Sequence, residues 1–85
     1  MYIAHISGLS YDIYAIGETK EELKANMIEA FKKYAAGHHT TVEEFIEIVC
    51  NESLENYDNN LWDFLREYLG VHVYNITKGY ALGWE

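Results

Sequence analysis

The chain has 85 residues, with 14 acidic against 6 basic side chains, a net charge of −8, 49% hydrophobic and 15% aromatic residues, and no proline. That length supports one domain (1–85) with a single modest core and excludes a deep cleft between two lobes, while the apolar share excludes a disordered chain. The charge opposes direct binding to a nucleic-acid backbone, and no run reaches the roughly 18 apolar residues of a membrane span.

Tyr2 to Ile6 and Tyr11 to Ile16 are rich in aromatic and branched residues and are separated by Ser7, Gly8, Leu9 and Ser10, which predicts a β-hairpin. Tyr2, Ala4 and Ile6 share one face and Ile3 and His5 the other. In the second strand Tyr11, Ile13 and Ala15 oppose Asp12, Tyr14 and Ile16. Neither face is purely polar, so helices are expected on one and a partner is a candidate for the other.

The clearest element runs from Gly17 to Gly37. Thr19 with Glu22 forms a capping box, Gly37 supplies a stop, and Leu23, Met27, Ala30, Phe31 and Tyr34 recur on one stripe of a 3.6-residue period. Thr40 and Thr41 are each followed three residues later by a glutamate, Glu43 and Glu44, so either can open a second helix. Its stripe is Val42, Phe45, Ile46, Val49 and Cys50. Asn51 to Asn60 reads as a polar connection with a short helical turn. A third helix from about Asn60 to Leu69 is capped by Asp58, Asn59 or Asn60, stopped by Gly70, and turns Leu61, Phe64, Leu65, Tyr68 and Leu69 inward.

The chain then returns to period two: Val71, Val73 and Asn75 alternate with His72, Tyr74 and Ile76, and Tyr80, Leu82 and Trp84 with Ala81 and Gly83. Thr77, Lys78 and Gly79 suit a three-residue hairpin loop. The expected fold is α+β, ββαααββ, with two β-hairpins in one antiparallel sheet and three helices packed on one face.

Four histidines invite a metal reading, but His38 and His39 are adjacent, so their rings diverge, and no His-Glu-x-x-His or Cys-x-x-Cys spacing occurs; no metal is expected. Cys50, the single cysteine, fits a reducing compartment and lies on an apolar stripe, which favours an inert buried thiol over a nucleophile. Glu43 with Glu47, and Asp63 with Glu67, stand four apart on a helix, a spacing that suits a divalent cation and suits a solvated face better. The glycines are scattered and form no phosphate-cradling loop. A nucleotide ligand therefore requires tyrosines and a few lysines to converge. No catalytic residue and no cofactor is assigned.

The first 36 residues carry YIAHI, YDIYAIGET and KEELKANMIEAFKKY, and with Gly17, Thr19, Glu22, Asn26, Glu29 and Ala30 they resemble the strand-to-helix segment of HicB-type antitoxins. The resemblance covers under half the chain. The proline-containing loop that usually precedes the final strand of that unit is missing, and no helix-turn-helix or ribbon DNA-binding motif follows. What it implies is a small intracellular protein that neutralises a partner.

Charge is regional: Glu43 to Glu67 holds eight acidic residues and one base, Arg66. With eight tyrosines and two tryptophans in the chain, the leading expectation is an acidic, cytoplasmic, non-enzymatic protein that blocks a basic protein partner such as a nucleic-acid enzyme, antitoxin-like or anti-defence in role. Glu43, Glu44, Glu47, Glu55, Asp58, Asp63 and Glu67 are its candidate contacts, with Tyr57 and Trp62 as aromatic anchors and Trp84 a further exposed aromatic. The alternative is a small-ligand, nucleotide-like binder formed where copies of the chain meet. A strand at the chain end leaves an edge on which a homodimer could form.

Overall fold

A computed structural model describes residues 1–77 and 80–84, those from 76 onward by their backbone alone. Two strands open the chain, β1 (Tyr2–Ile6) and β2 (Ile13–Gly17), followed by helix α1 (Lys20–Gly37) and helix α2 (Val42–Val49). A 3₁₀ turn (Leu54–Tyr57) leads to a single α-helical turn, α3 (Leu61–Phe64), which widens into a π-helical turn (Leu65–Leu69) before β3 (His72–Thr77) and β4 (Tyr80–Trp84). The class is α+β. The uniform third helix expected from about Asn60 to Leu69 is instead two short pieces of different pitch, and the 3₁₀ turn is the short helical turn expected between Asn51 and Asn60.

The sheet is antiparallel, in the order β2-β1-β3-β4. β1 sits between β2 and β3, so the two ends of the chain are zipped together through their first and last hairpins. Pairing of Ala4 with Ala15 and Ile6 with Ile13 puts all four side chains on the face under the helices, where they are buried. Tyr2 is half-buried, and Tyr11 is exposed with its ring tilted against Tyr34 at 5.0 Å. Lys78 and Gly79 of the expected loop, and the side chain of Trp84, lie outside the described residues.

Helix α1 covers this face with Leu23, Met27, Phe31, Tyr34 and Ala35. The Thr19 hydroxyl accepts from the Glu22 amide at 3.1 Å, as the capping box requires, and Gly17 lets the helix come close. A Cβ on Gly17 would stand 2.4 Å from the Leu23 backbone nitrogen. Three longer-range bonds hold the helix on the hairpin: Asn26 Nδ2 donates to the Ile16 carbonyl at 2.7 Å, and the Tyr34 hydroxyl donates to Ser10 Oγ at 2.9 Å while accepting from the Ser10 amide.

Helix α2 is capped by Thr41, whose hydroxyl accepts from the Glu44 amide, and this settles the choice between the two threonines. It packs on α1 through Phe45, whose ring meets Phe31 edge-on at 5.6 Å and Tyr34 at 5.7 Å. Val49, the last residue of the helix and expected on the inward stripe, is 64% exposed; Val42, Phe45, Ile46 and Cys50 are buried as expected. Asn60 caps α3 by accepting from the Asp63 amide. Phe64 and Leu65 reach the core, Leu61 and Leu69 are half-buried, and Tyr68, though 45% exposed, stacks its ring on Phe64 at 5.3 Å and donates from its hydroxyl to the Cys50 carbonyl at 2.9 Å.

Replacing Gly17 by alanine drives a methyl group into helix backbone that cannot swing aside. A destabilisation of about 1–3 kcal/mol is expected from overpacking at this contact, read as a lower urea midpoint with unchanged slope. An unchanged midpoint would show that the helix does not sit this close.

Candidate functional site

The acidic candidates come from four consecutive pieces of the helical layer. Glu43, Glu44 and Glu47 project from α2 into solvent, and Glu55 and Asp58 lie on and just after the 3₁₀ turn, also exposed. Asp63 is half-buried at the start of α3 and Glu67 is exposed on the π turn. Glu44 accepts a hydrogen bond from the Thr40 hydroxyl at 3.2 Å. None of the seven lies within ion-pair distance of a lysine or arginine among the described residues, where the salt contacts are Lys32 with Glu29 at 3.6 Å and His5 with Asp12 at 3.2 Å.

Two of these carboxylates converge. Glu43, from the first turn of α2, and Asp58, from the end of the 3₁₀ turn, line one open groove of about 840 Å³ with Thr40, Thr41, Asn59 and Asn60. Ile28 and Ala36 of α1 with Val42, Leu54 and Leu61 give it an apolar share, and Lys32, paired with Glu29 at 3.6 Å, also lines it. The turn is aimed by its backbone: Asp58 and Asn59 both occupy the left-handed region, at φ of 56° and 58°, where Asp and Asn are the non-glycine residues most readily accommodated.

A second acidic grouping surrounds Tyr57. Its ring packs edge-on against Phe64 at 5.4 Å, so this anchor is anchored to its own core and is half-buried. Desolvation raises the phenol pKa above its usual value, and the carboxylates of Glu52 and Glu67 raise it further. Glu52 was absent from the candidate contacts although it belongs to the same acidic run; its place beside Tyr57 follows from the chain reversal at Asn51 (φ 54°), which periodicity cannot signal. Glu52 also accepts from Asn56 Nδ2 at 3.2 Å.

Trp62 is the misplaced anchor. It is 8% exposed, and it faces away from the Glu43–Asp58 groove toward a separate cleft of about 510 Å³ lined by Lys20, Leu23, Lys24, Arg66, Val71 and Val73. Lys24 Nζ stands over its ring, 5.8 Å from the centroid. Lys20, Lys24 and Arg66 thus come to one cleft beside a tryptophan, without the converging tyrosines that the nucleotide reading required among the described residues.

Two of the four histidines come near each other, His5 and His72 pairing across β1 and β3 with ring centroids 6.5 Å apart, while His38 and His39 stand where α1 gives way to α2. His38 packs its ring against Tyr34 at 4.6 Å, His39 is exposed in a left-handed conformation, and His5 stacks on Tyr14 on the sheet face turned away from the helices. His5 Nε2 is shielded from solvent and makes no hydrogen bond, its 3.2 Å contact with Asp12 being misaligned for one. Among the described residues no three His, Cys, Asp or Glu side chains are placed to hold a metal ion. No described helix is long and apolar enough to cross a membrane.

The chain matches no protein-family model, no curated protein and no solved structure. Function therefore rests on the geometry of the chain alone.

Cys50 closes α2 as a buried thiol whose pKa is raised first by desolvation and then by the Glu52 carboxylate. Because only the thiolate reacts, alkylation by iodoacetamide is expected to be slower than that of a free cysteine at pH 8 and to accelerate only at more alkaline pH. Glu52→Gln, which removes the repulsion, should shift that profile to lower pH. A rate equal to free cysteine in the native protein would contradict both the burial and the sign of the shift.

Proposed function

We propose that the chain is a non-enzymatic binding protein that engages a basic protein partner through the carboxylates of its α2–α3 layer. The observation that carries this reading is the joint placement of Glu43 and Asp58, from separate elements, on one open groove that is also lined by apolar side chains and by hydroxyl and amide groups. A lysine or arginine side chain suits such a groove: its methylene stem lies on apolar surface while its charged end meets carboxylate and amide oxygens.

The surrounding Glu44, Glu47, Glu55, Asp63 and Glu67 add a field of the same sign, which speeds encounter with a cationic surface more than it tightens the final complex. Among basic proteins, an enzyme that grips nucleic acid presents cationic grooves which carboxylates can occupy in place of phosphate. An inhibitory role of the antitoxin or anti-defence kind, exercised in the cytoplasm, accords with this chemistry and with the antitoxin-like opening residues. Tyr57 serves such a surface as a fixed support rather than as a free anchor.

A hexa-arginine peptide, as a stand-in for the basic partner, should bind with an affinity that falls steeply between about 50 and 500 mM salt as screening shortens the range of the field. The double variant Glu43→Gln/Asp58→Asn should weaken that binding by about fivefold, whereas Glu18→Gln/Glu21→Gln, with the same loss of charge elsewhere, should weaken it less than twofold. Equal losses in the two variants would reduce the effect to overall charge and remove the groove from the mechanism. Affinity indifferent to salt would remove the electrostatic reading altogether.

A further inference from the structure

We infer that the exposed end of α2 is the apolar centre of the partner-binding surface, and that it receives the apolar stripe of a cationic amphipathic helix. This rests on the reading of the chain as a binder of basic proteins and adds to it the kind of segment that is recognised. Ile48 and Val49, in the last turn of α2, are 78% and 64% exposed, more than any other large apolar side chain among the described residues. Tyr68, itself exposed, stands beside them: its hydroxyl donates to the carbonyl of Cys50, the residue that follows Val49. Single apolar side chains on a surface need no account, whereas neighbouring ones from two elements form a patch, and an apolar patch with a charged rim is the ordinary composition of an interface.

What surrounds the patch specifies its occupant. Glu44 and Glu47 stand on the same helix, Glu52 follows Cys50 by two residues, and Glu67 directly precedes Tyr68. The charges of Glu52 and Glu67 both reach Tyr57, which brings the two to one side of the domain. None of the four is within ion-pair distance of a lysine or arginine among the described residues. Arg66 lines the cleft over Trp62 instead. The negative end of the α2 dipole adds to this field, since its last turn holds no basic residue.

An apolar centre within acids is complementary to apolar side chains flanked by lysine or arginine. A helix with apolar residues three and four apart presents that arrangement along one stripe. An extended segment gains its affinity from a sheet edge, which this helical layer does not offer. The patch is also distinct from the Glu43–Asp58 groove: five residues of helix put Ile48 about 140° round α2 from Glu43. Packing does not account for it, because α2 is already held by Val42, Phe45 and Ile46, and apolar side chains left in water contribute nothing to folding.

The test compares three peptides on the whole chain. One is a leucine–lysine helix of about 15 residues with its leucines on one stripe, one is a scrambled peptide of the same composition, and one is hexa-arginine. The striped peptide should bind about tenfold more tightly than the scrambled one, with amide shifts at Ile48 and Val49. Ile48→Ser and Val49→Ser should each weaken it about fivefold and change hexa-arginine binding by less than about twofold, because only the striped peptide uses the apolar contact. Ile16→Ser, the same change at an exposed isoleucine of β2, should cost the striped peptide less than about twofold. All three substitutions are of exposed side chains, and retained amide spectra confirm that each variant is folded.

The inference is overturned if hexa-arginine binds but the striped and scrambled peptides bind equally, or if Ile16→Ser costs as much as Ile48→Ser. Either result leaves the basic-partner reading standing. Failure of all three peptides to bind removes that reading, and this inference with it.

Discussion

Leu23, Met27 and Phe31, one stripe of α1, share a core with Ala4, Ile6, Ile13 and Ala15 of the β1–β2 pair. An antiparallel pair of five-residue strands is not stable alone in water, and neither is a helix whose apolar stripe is uncovered. Each supplies what the other lacks. The alanines and Gly17 on the sheet side are small so that the bulky helix side chains can descend, and the close approach of Gly17 to Leu23 fixes how near the helix axis lies to the strands. The rest of the chain is laid onto this unit: α2 through the Phe31–Tyr34–Phe45 rings, α3 through Phe64 and Leu65, and β3 by adding Val73 beside Ala4.

Much of this was legible because local chemistry and the global fold agree. Thr19, Thr41 and Asn60 cap where their side-chain oxygens and the following apolar spacing say they should, and the strand alternation puts Ala4, Ile6, Ile13 and Ala15 inward. Thr40 and Thr41 were indistinguishable from local pattern, since both precede a glutamate by three residues. The choice is made by tertiary packing, which needs Phe45 and Ile46 against α1.

The failures are equally physical. Trp62 was read as exposed because steps of 100° place it off the Leu61–Phe64–Leu65 stripe. The inference assumed one buried side, but α3 is flanked on two, by the core and by the α1 cleft, and its continuation as a π turn changes the angular step from Leu65 onward. Tyr68, placed inward by the same arithmetic, keeps one ring face on Phe64 and its hydroxyl on the Cys50 carbonyl but is left 45% exposed. Val49 was counted as core because periodicity does not say where burial along a helix stops. Of the candidate contacts, the run of acids was visible as composition, but the pairing of Glu43 with Asp58 was not, since it depends on two successive left-handed residues fifteen positions downstream.

Charge and packing are coupled in this small domain through the division of the helical layer. Helix α1 carries four of the six basic residues, Lys20, Lys24, Lys32 and Lys33, while α2 and the connection after it carry acids with no base until Arg66. Had the acids of α2 been interleaved with those lysines, surface pairs would have formed at little gain in stability, since exposed pairs contribute about 0–1 kcal/mol each. Keeping them apart costs some self-repulsion and leaves an acidic surface beside the nearly balanced one of α1, where the four lysines are interleaved with Glu21, Glu22 and Glu29. Leu61 and Trp62, adjacent in sequence, mark the divide: one lines the acidic groove and the other the cleft with Lys20, Lys24 and Arg66. A single turn of helix thus separates the two surfaces.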